Sequence, residues 1–138
     1  MKKIVIIPTF NEKENIAAII HAVIVLGNQY HVLVVDDGSP DGTASIVKEM
    51  MQGHPDKVFI QERKGKLGLG TAYIHGFKWA LDNQYDYIFE MDADFSHNPD
   101  DLIKLHSLLK YKKDARYKAL EMELIRKEIK RRKQDIVR

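Results

Sequence analysis

The feature that most constrains this chain is a pair of short β-branched runs separated by a helical pattern. Lys3-Ile4-Val5-Ile6-Ile7-Pro8 ends in proline, and His31-Val32-Leu33-Val34-Val35-Asp36 ends in an acid. Neither run alternates apolar with polar residues, so both are expected to be strands buried on two faces, as in the middle of a parallel sheet. Between them Ile16, Ile19, Ile20 and Val23 recur at helical spacing, and Asn11 followed by Glu14 has the form of a capping box. Strand, helix and strand of this kind make a right-handed crossover unit. The alternation continues with a helix over about 41–53, a strand near 57–61, a helix over about 68–82 and a strand over 86–91. The expected fold class is therefore α/β, a mostly parallel sheet flanked by helices.

The chain divides by charge. Residues 1–109 carry 10 Lys and Arg against 15 Asp and Glu, whereas 110–138 carry 12 against 5. Asn98-Pro99-Asp100-Asp101 has the form of a helix start, and 102–138 contains neither Gly nor Pro. Ala115, Met122, Ile129 and Ile136 fall seven apart, which gives 110–138 the pattern of a basic amphipathic helical tail with weak coiled-coil character. At 138 residues and 44% hydrophobic content the remainder suits one domain with a real core. With no cysteine there are no disulfides and no thiolate ligands, and no apolar run reaches the roughly 18 residues of a spanning helix. The expected location is cytoplasmic, or peripheral on a membrane surface.

In open α/β sheets ligands bind beyond the carboxyl ends of the strands. The unusual polar residues fall there: Thr9 to Glu12, Asp36 to Asp41, Gln61 to Lys66, and Asp92 to His97. Asp92 and Asp94, one residue apart after Tyr87-Ile88-Phe89-Glu90-Met91, suit a hard divalent cation such as Mg²⁺ or Mn²⁺, which binds one or two carboxylates and completes its sphere with substrate phosphates. That pairing suggests a nucleotide-diphosphate substrate. The loop Asp37 to Thr43 superficially spaces its acids like a calcium loop, but the twelfth position is Lys48 and Pro40 interrupts it; it reads instead as a turn capped by Ser39 or Asp41. Arg63, Lys64 and Lys66 stand beside glycines ahead of a helix, where cations and backbone N–H groups could approach a diphosphate. The Gly-Lys-Ser/Thr ending of a P-loop is absent, and so is G-x-G-x-x-G after the first strand, which removes the support for ATPase and NAD-dependent readings. His97 and Ser96 stand near the acid pair as a lone histidine and a turn residue.

Taken together, Ile7-Pro8-Thr9-Phe10-Asn11-Glu12, Val34-Val35-Asp36-Asp37-Gly38-Ser39-Pro40-Asp41-Gly42-Thr43, Lys66-Leu67-Gly68-Leu69-Gly70-Thr71-Ala72-Tyr73 and Met91-Asp92-Ala93-Asp94-Phe95-Ser96-His97 resemble the inverting family-2 glycosyltransferases, in particular the dolichyl-phosphate and polyprenyl-phosphate mannosyltransferases. The resemblance covers about residues 3–108. It implies a GT-A fold over 1–109 that binds a nucleotide sugar, GDP-mannose or a relative, for transfer with inversion to a polyprenyl or dolichyl phosphate. It also implies that Pro8, Phe10, Glu12, Val35 and Asp37 surround the nucleoside and that Asp92, Ala93 and Asp94 meet the diphosphate. Asp92 and Asp94 would hold Mg²⁺ or Mn²⁺, with Asp94 marked as catalytic. After Leu108 the family pattern continues into another strand and a Gly-x-Arg-Tyr motif, of which only Arg116-Tyr117 is matched here, so the resemblance reaches the donor half alone.

Other classes remain beside it. A non-catalytic module could use 110–138 to self-associate or to lie on an anionic membrane. Nucleic acid is a poor fit, because the body of the chain is acidic. A nucleotidyltransferase would carry a glycine-rich loop where Pro8 to Glu12 stands.

Overall fold

The computed structural model describes residues 2–27, 29–65 and 68–94. The expected helix from Asn98, the tail 110–138, and Lys66, Ser96, His97, Arg116 and Tyr117 lie outside the described residues. Seven elements alternate: β1 Lys3–Thr9, α1 Ile16–Ile24, β2 Tyr30–Asp36, α2 Thr43–Gly53, β3 Val58–Glu62, α3 Leu69–Asp82 and β4 Tyr87–Glu90. The strands form one sheet in the order β3-β2-β1-β4, and every pairing is parallel.

The strand pleat sorts the core into two layers. Val5, Ile7, Val32, Val34, Val58 and Phe89 pack with Ile16, Ile19, Ile20 and Val23 of α1 and Val47 of α2. Ile4, Ile6, Leu33, Val35 and Ile88 pack with Ala72, Tyr73 and Ala80 of α3 on the other face. All of β1 is buried, as the unbroken apolar run requires. From β1 the chain steps to β2 and β3 in one direction and then returns past β1 to β4. Because crossovers keep one hand, reversing direction moves the helix to the opposite face, which is why α3 stands alone there. Gly76 sets its distance: a Cβ at that position would lie 2.6 Å from Ile6 Cγ2, so the helix docks on the strand only with glycine.

The reversal leaves β1 between neighbours that diverge. The chain leaves β1 for α1 on one face and enters β4, beside β1, from α3 on the other, and such a switch point opens a crevice.

Candidate functional site

The crevice is present at that switch point. A cleft of about 280 Å³ is lined by Pro8, Thr9, Phe10 and Glu12 after β1, Asp37 after β2, Gly68 and Leu69 at the start of α3, and Asp92, Ala93 and Asp94 after β4. Of the residues expected from sequence, Pro8, Phe10, Glu12, Asp37, Asp92, Ala93 and Asp94 thus share one wall system. Val35 does not line it. It is fully buried in the α3-side core and pairs in register with Pro8, so it supports the floor from below.

The β1 loop is held by side chains from the loop after β2. The amide of Asn11 donates to Ser39 Oγ at 2.9 Å, that of Glu12 to Thr43 Oγ1 at 3.0 Å and that of Lys13 to Asp41 Oδ2 at 3.1 Å. Consecutive amides are thereby satisfied across the loop, and the expected capping box is not formed. Asn11 has φ 56°, in the left-handed region, which is not the geometry of an N-cap. The helix starts later, at Ile16, after a turn in which the amides of Asn15 and Ile16 donate to the Glu12 carbonyl. Beneath this loop the buried Asp36 accepts hydrogen bonds from Thr9 Oγ1 at 2.7 Å, Ser39 N at 3.0 Å and Ser39 Oγ at 2.6 Å. Asp41 accepts from the Thr43 amide at 3.0 Å, so it does cap the turn into α2.

Arg63 is committed to Asp37. Its Nε donates to Asp37 Oδ1 at 2.7 Å and its Nη2 to Asp37 Oδ2 at 2.9 Å, a fork on both carboxylate oxygens, with both side chains more than nine-tenths buried. The same guanidinium reaches Thr71 Oγ1 at 3.0 Å and the Gly68 carbonyl at 3.2 Å. The approach needs Gly38, at φ 71°, where a Cβ would stand 3.1 Å from the Gly65 backbone nitrogen. Arg63 therefore ties Asp37 to the first turn of α3.

On the opposite wall Tyr73 donates its hydroxyl to Asp92 Oδ1 at 2.8 Å. Asp94 is exposed at the mouth. Burial holds the Glu12 carboxyl above the usual carboxylate range; a hydrogen bond with Asn15 opposes this, and the charges of Asp94, Asp41 and Asp92 add to it. The cleft thus gathers negative charge. Carboxylate oxygens are the donors that a hard cation takes, and among the described residues no three His, Asp or Glu side chains gather to hold a metal by themselves. The donor set fits an ion that completes its coordination with phosphates.

A model of glycosyl transferase family 2 matches residues 4–121. The chain belongs to glycosyl transferase family 2. This family-2 chain is 48% identical over 104 residues to the polyprenol monophosphomannose synthase of Mycolicibacterium smegmatis, an alignment covering 75% of it and 39% of that protein. It is 43% identical over 105 residues to the undecaprenyl-phosphate mannosyltransferase of Micrococcus luteus, covering 76% and 43%. The chain spans about two fifths of the length of these curated relatives. Among solved structures it is similar to a mannosyltransferase from Pyrobaculum calidifontis in complex with GDP-Man and Mn²⁺, with TM-score 0.58 and 28% identity over 67% of this chain and 27% of the other. A fragment of S. aureus TarS shares the fold at TM-score 0.61 and 23% identity, covering 80% and 33%. The parallel sheet between helices is the GT-A fold of these neighbours.

Arg63 and Tyr73 support the family-2 cleft from behind, and no local spacing marks either of them for that role. Arg63 reads as a solvated loop cation, and Tyr73 as another apolar position of an amphipathic helix; only the docking of α3 on β1 brings the phenol to Asp92. No helix among the described residues is long and apolar enough to cross a membrane.

Proposed function

We propose that this chain binds a nucleotide sugar, GDP-mannose or a close relative, in the switch-point cleft, as the donor half of a transferase that passes the sugar to a polyprenyl or dolichyl phosphate with inversion. The single observation that carries the reading is the convergence of Pro8, Phe10, Glu12 and Asp37 with Asp92, Ala93 and Asp94 on one cleft. The likeness to named mannosyltransferases supports the choice of sugar and acceptor.

In this reading Pro8 and Phe10 offer apolar contact to the nucleoside, and Asp37, aligned by Arg63, accepts hydrogen bonds from its base or ribose. Asp92 and Asp94 would hold Mg²⁺ or Mn²⁺, a cation that when bound offsets the charge developing on the leaving diphosphate. The acceptor is already an anion, so the chain needs no strong general base: a phosphate oxygen forms the bond to the anomeric carbon as the bond to the nucleoside diphosphate breaks on the opposite face. A lipid-linked acceptor also suits a protein working at a membrane surface.

Calorimetric titration of GDP-mannose and GDP, with and without Mn²⁺, into the wild type and Asp94→Ala tests the proposal. Cation-dependent binding that disappears in the variant supports it. A folded wild type that binds neither nucleotide overturns it.

A further inference from the structure

Tyr73 donates its hydroxyl to an acid that lines the cleft, at 2.8 Å from Asp92 Oδ1. It is 1% exposed and sits in the α3-side core with Ile4, Ile6 and Ile88. The ring cannot swing: the packing of α3 fixes it, and that packing is as close as Gly76 over Ile6 allows. We infer that Tyr73 is a positioning residue for the cation and diphosphate end of the site, fixing the rotamer of Asp92 at the cleft through the phenol's hold on Oδ1. This inference rests on the donor-binding reading above.

The chemistry of the donor matters. Asp37 is oriented by a guanidinium, which neutralises it as well as aligning it. A neutral phenol aligns Asp92 without adding a charge of its own. An arginine there would set a positive charge beside the ion that the carboxylate is to bind. Hydrogen-bond partners that orient a metal ligand are typically worth about 10–100-fold in metal affinity. The contact also spans elements, since Tyr73 lies in α3 and Asp92 beyond β4, and α3 opens at Gly68 and Leu69 on the cleft itself.

The test is Tyr73→Phe, which removes one oxygen and keeps the ring. Mn²⁺ is titrated into the GDP-saturated full chain, followed by electron paramagnetic resonance of free Mn²⁺, and GDP is titrated separately in EDTA. The expected result is an Mn²⁺ Kd weakened about 10–100-fold with the metal-free GDP Kd unchanged. Equal Mn²⁺ affinity in variant and wild type overturns the role of Tyr73, as does a parallel loss in both titrations, which marks a purely structural residue. A wild type that binds no Mn²⁺ with GDP overturns the donor-binding reading instead. A second measurement keeps the native contact: the ¹⁹F resonance of 3-fluorotyrosine at position 73 is expected to shift on adding Mg²⁺ with GDP, and a resonance that stays put overturns the inference whether or not the phenylalanine variant folds.

Discussion

Asp36 closes β2, Asp37 and Asp41 follow it, and all three commit oxygens to the fold, whereas Asp92 and Asp94 follow β4 and border the cleft with a neutral phenol behind the first of them. Both loops are acidic and both stand at carboxyl ends of parallel strands. The difference lies in the donors. Around the β2 loop, hydroxyls, amides and a guanidinium compensate each carboxylate, so the acids there act as braces that shape the floor and the β1 loop. At the β4 loop the carboxylates stand near Glu12, and their charges add to the burial that holds its carboxyl above the usual range. Stability favours the first arrangement. The second suits a site whose ligand brings positive charge with it.

The comparison breaks most sharply at Arg63. Removing one member of a buried, bidentate pair leaves the other charge uncompensated, so Arg63→Ala is expected to cost about 3–5 kcal/mol, read as a lower urea midpoint. If the β2 acids were also ligand acids held at little cost, the midpoint would hardly move. Replacing both members, Arg63→Met with Asp37→Leu, is expected to recover much of that stability while losing nucleotide affinity. Gly76→Ala comes next. Alanine gains about 1 kcal/mol of helix propensity, but its methyl group meets Ile6 and forces α3 outward, at about 1–3 kcal/mol for overpacking. The net expectation is a less stable protein whose Mn²⁺ affinity also falls, because Tyr73 moves with α3.

At the β4 loop the expectation inverts. Asp94 is exposed, so Asp94→Asn is expected to change stability by no more than about 0.5 kcal/mol in the absence of ligand, measured by the same urea titration. Cation-dependent binding of GDP-mannose is expected to be lost. A variant that unfolds early while still binding would place Asp94 with the braces.

How much of this was legible in the chain follows from the range of each interaction. The element order, the parallel sheet and the strand bounds to within a residue or two are written in local patterning, because a strand buried on both faces has to be apolar throughout. The cleft acids were legible as well, since the carboxyl ends of strands are where such folds bind ligands. Asn11 misled because a helix-cap signature is local, while the satisfaction of its amide by Ser39 is not. Arg63 misled for the same reason: its partner lies 26 residues back and meets it only where Gly38 and Gly65 let the two loops touch. Val35 is buried like any core valine. Long-range polar pairing, unlike hydrophobic periodicity, leaves no mark on the spacing of neighbours.

The smallest expected effect separates the two loops by pH. Asp41 lies below the usual carboxylate range: burial works against this, but hydrogen bonds from the Thr43 hydroxyl and from the Lys13 and Thr43 amides prevail. A carboxyl whose folded pKa is depressed binds fewer protons folded than unfolded, so its stabilisation is present above the unfolded value and is lost as pH falls through the folded one. Glu12 is raised, chiefly by burial, against its Asn15 hydrogen bond, with Asp94, Asp41 and Asp92 adding to the shift. Its folded form holds the proton longer, so stability declines as pH rises from its ordinary value of 4.5 through the folded pKa, and stays reduced above that. Urea midpoints taken across the weakly acidic range are therefore expected to show a shallower decline with rising pH in Glu12→Gln than in the wild type. Asp94→Asn should flatten the same slope in part, since Asp94 supplies one of the charges acting on Glu12, while leaving the loss below pH 4, roughly where ordinary carboxylates titrate, unchanged. If Glu12→Gln altered only the low-pH limb, Glu12 would belong with the braced acids of the β2 loop, and the charge gathered in the cleft would rest on Asp92 and Asp94 alone.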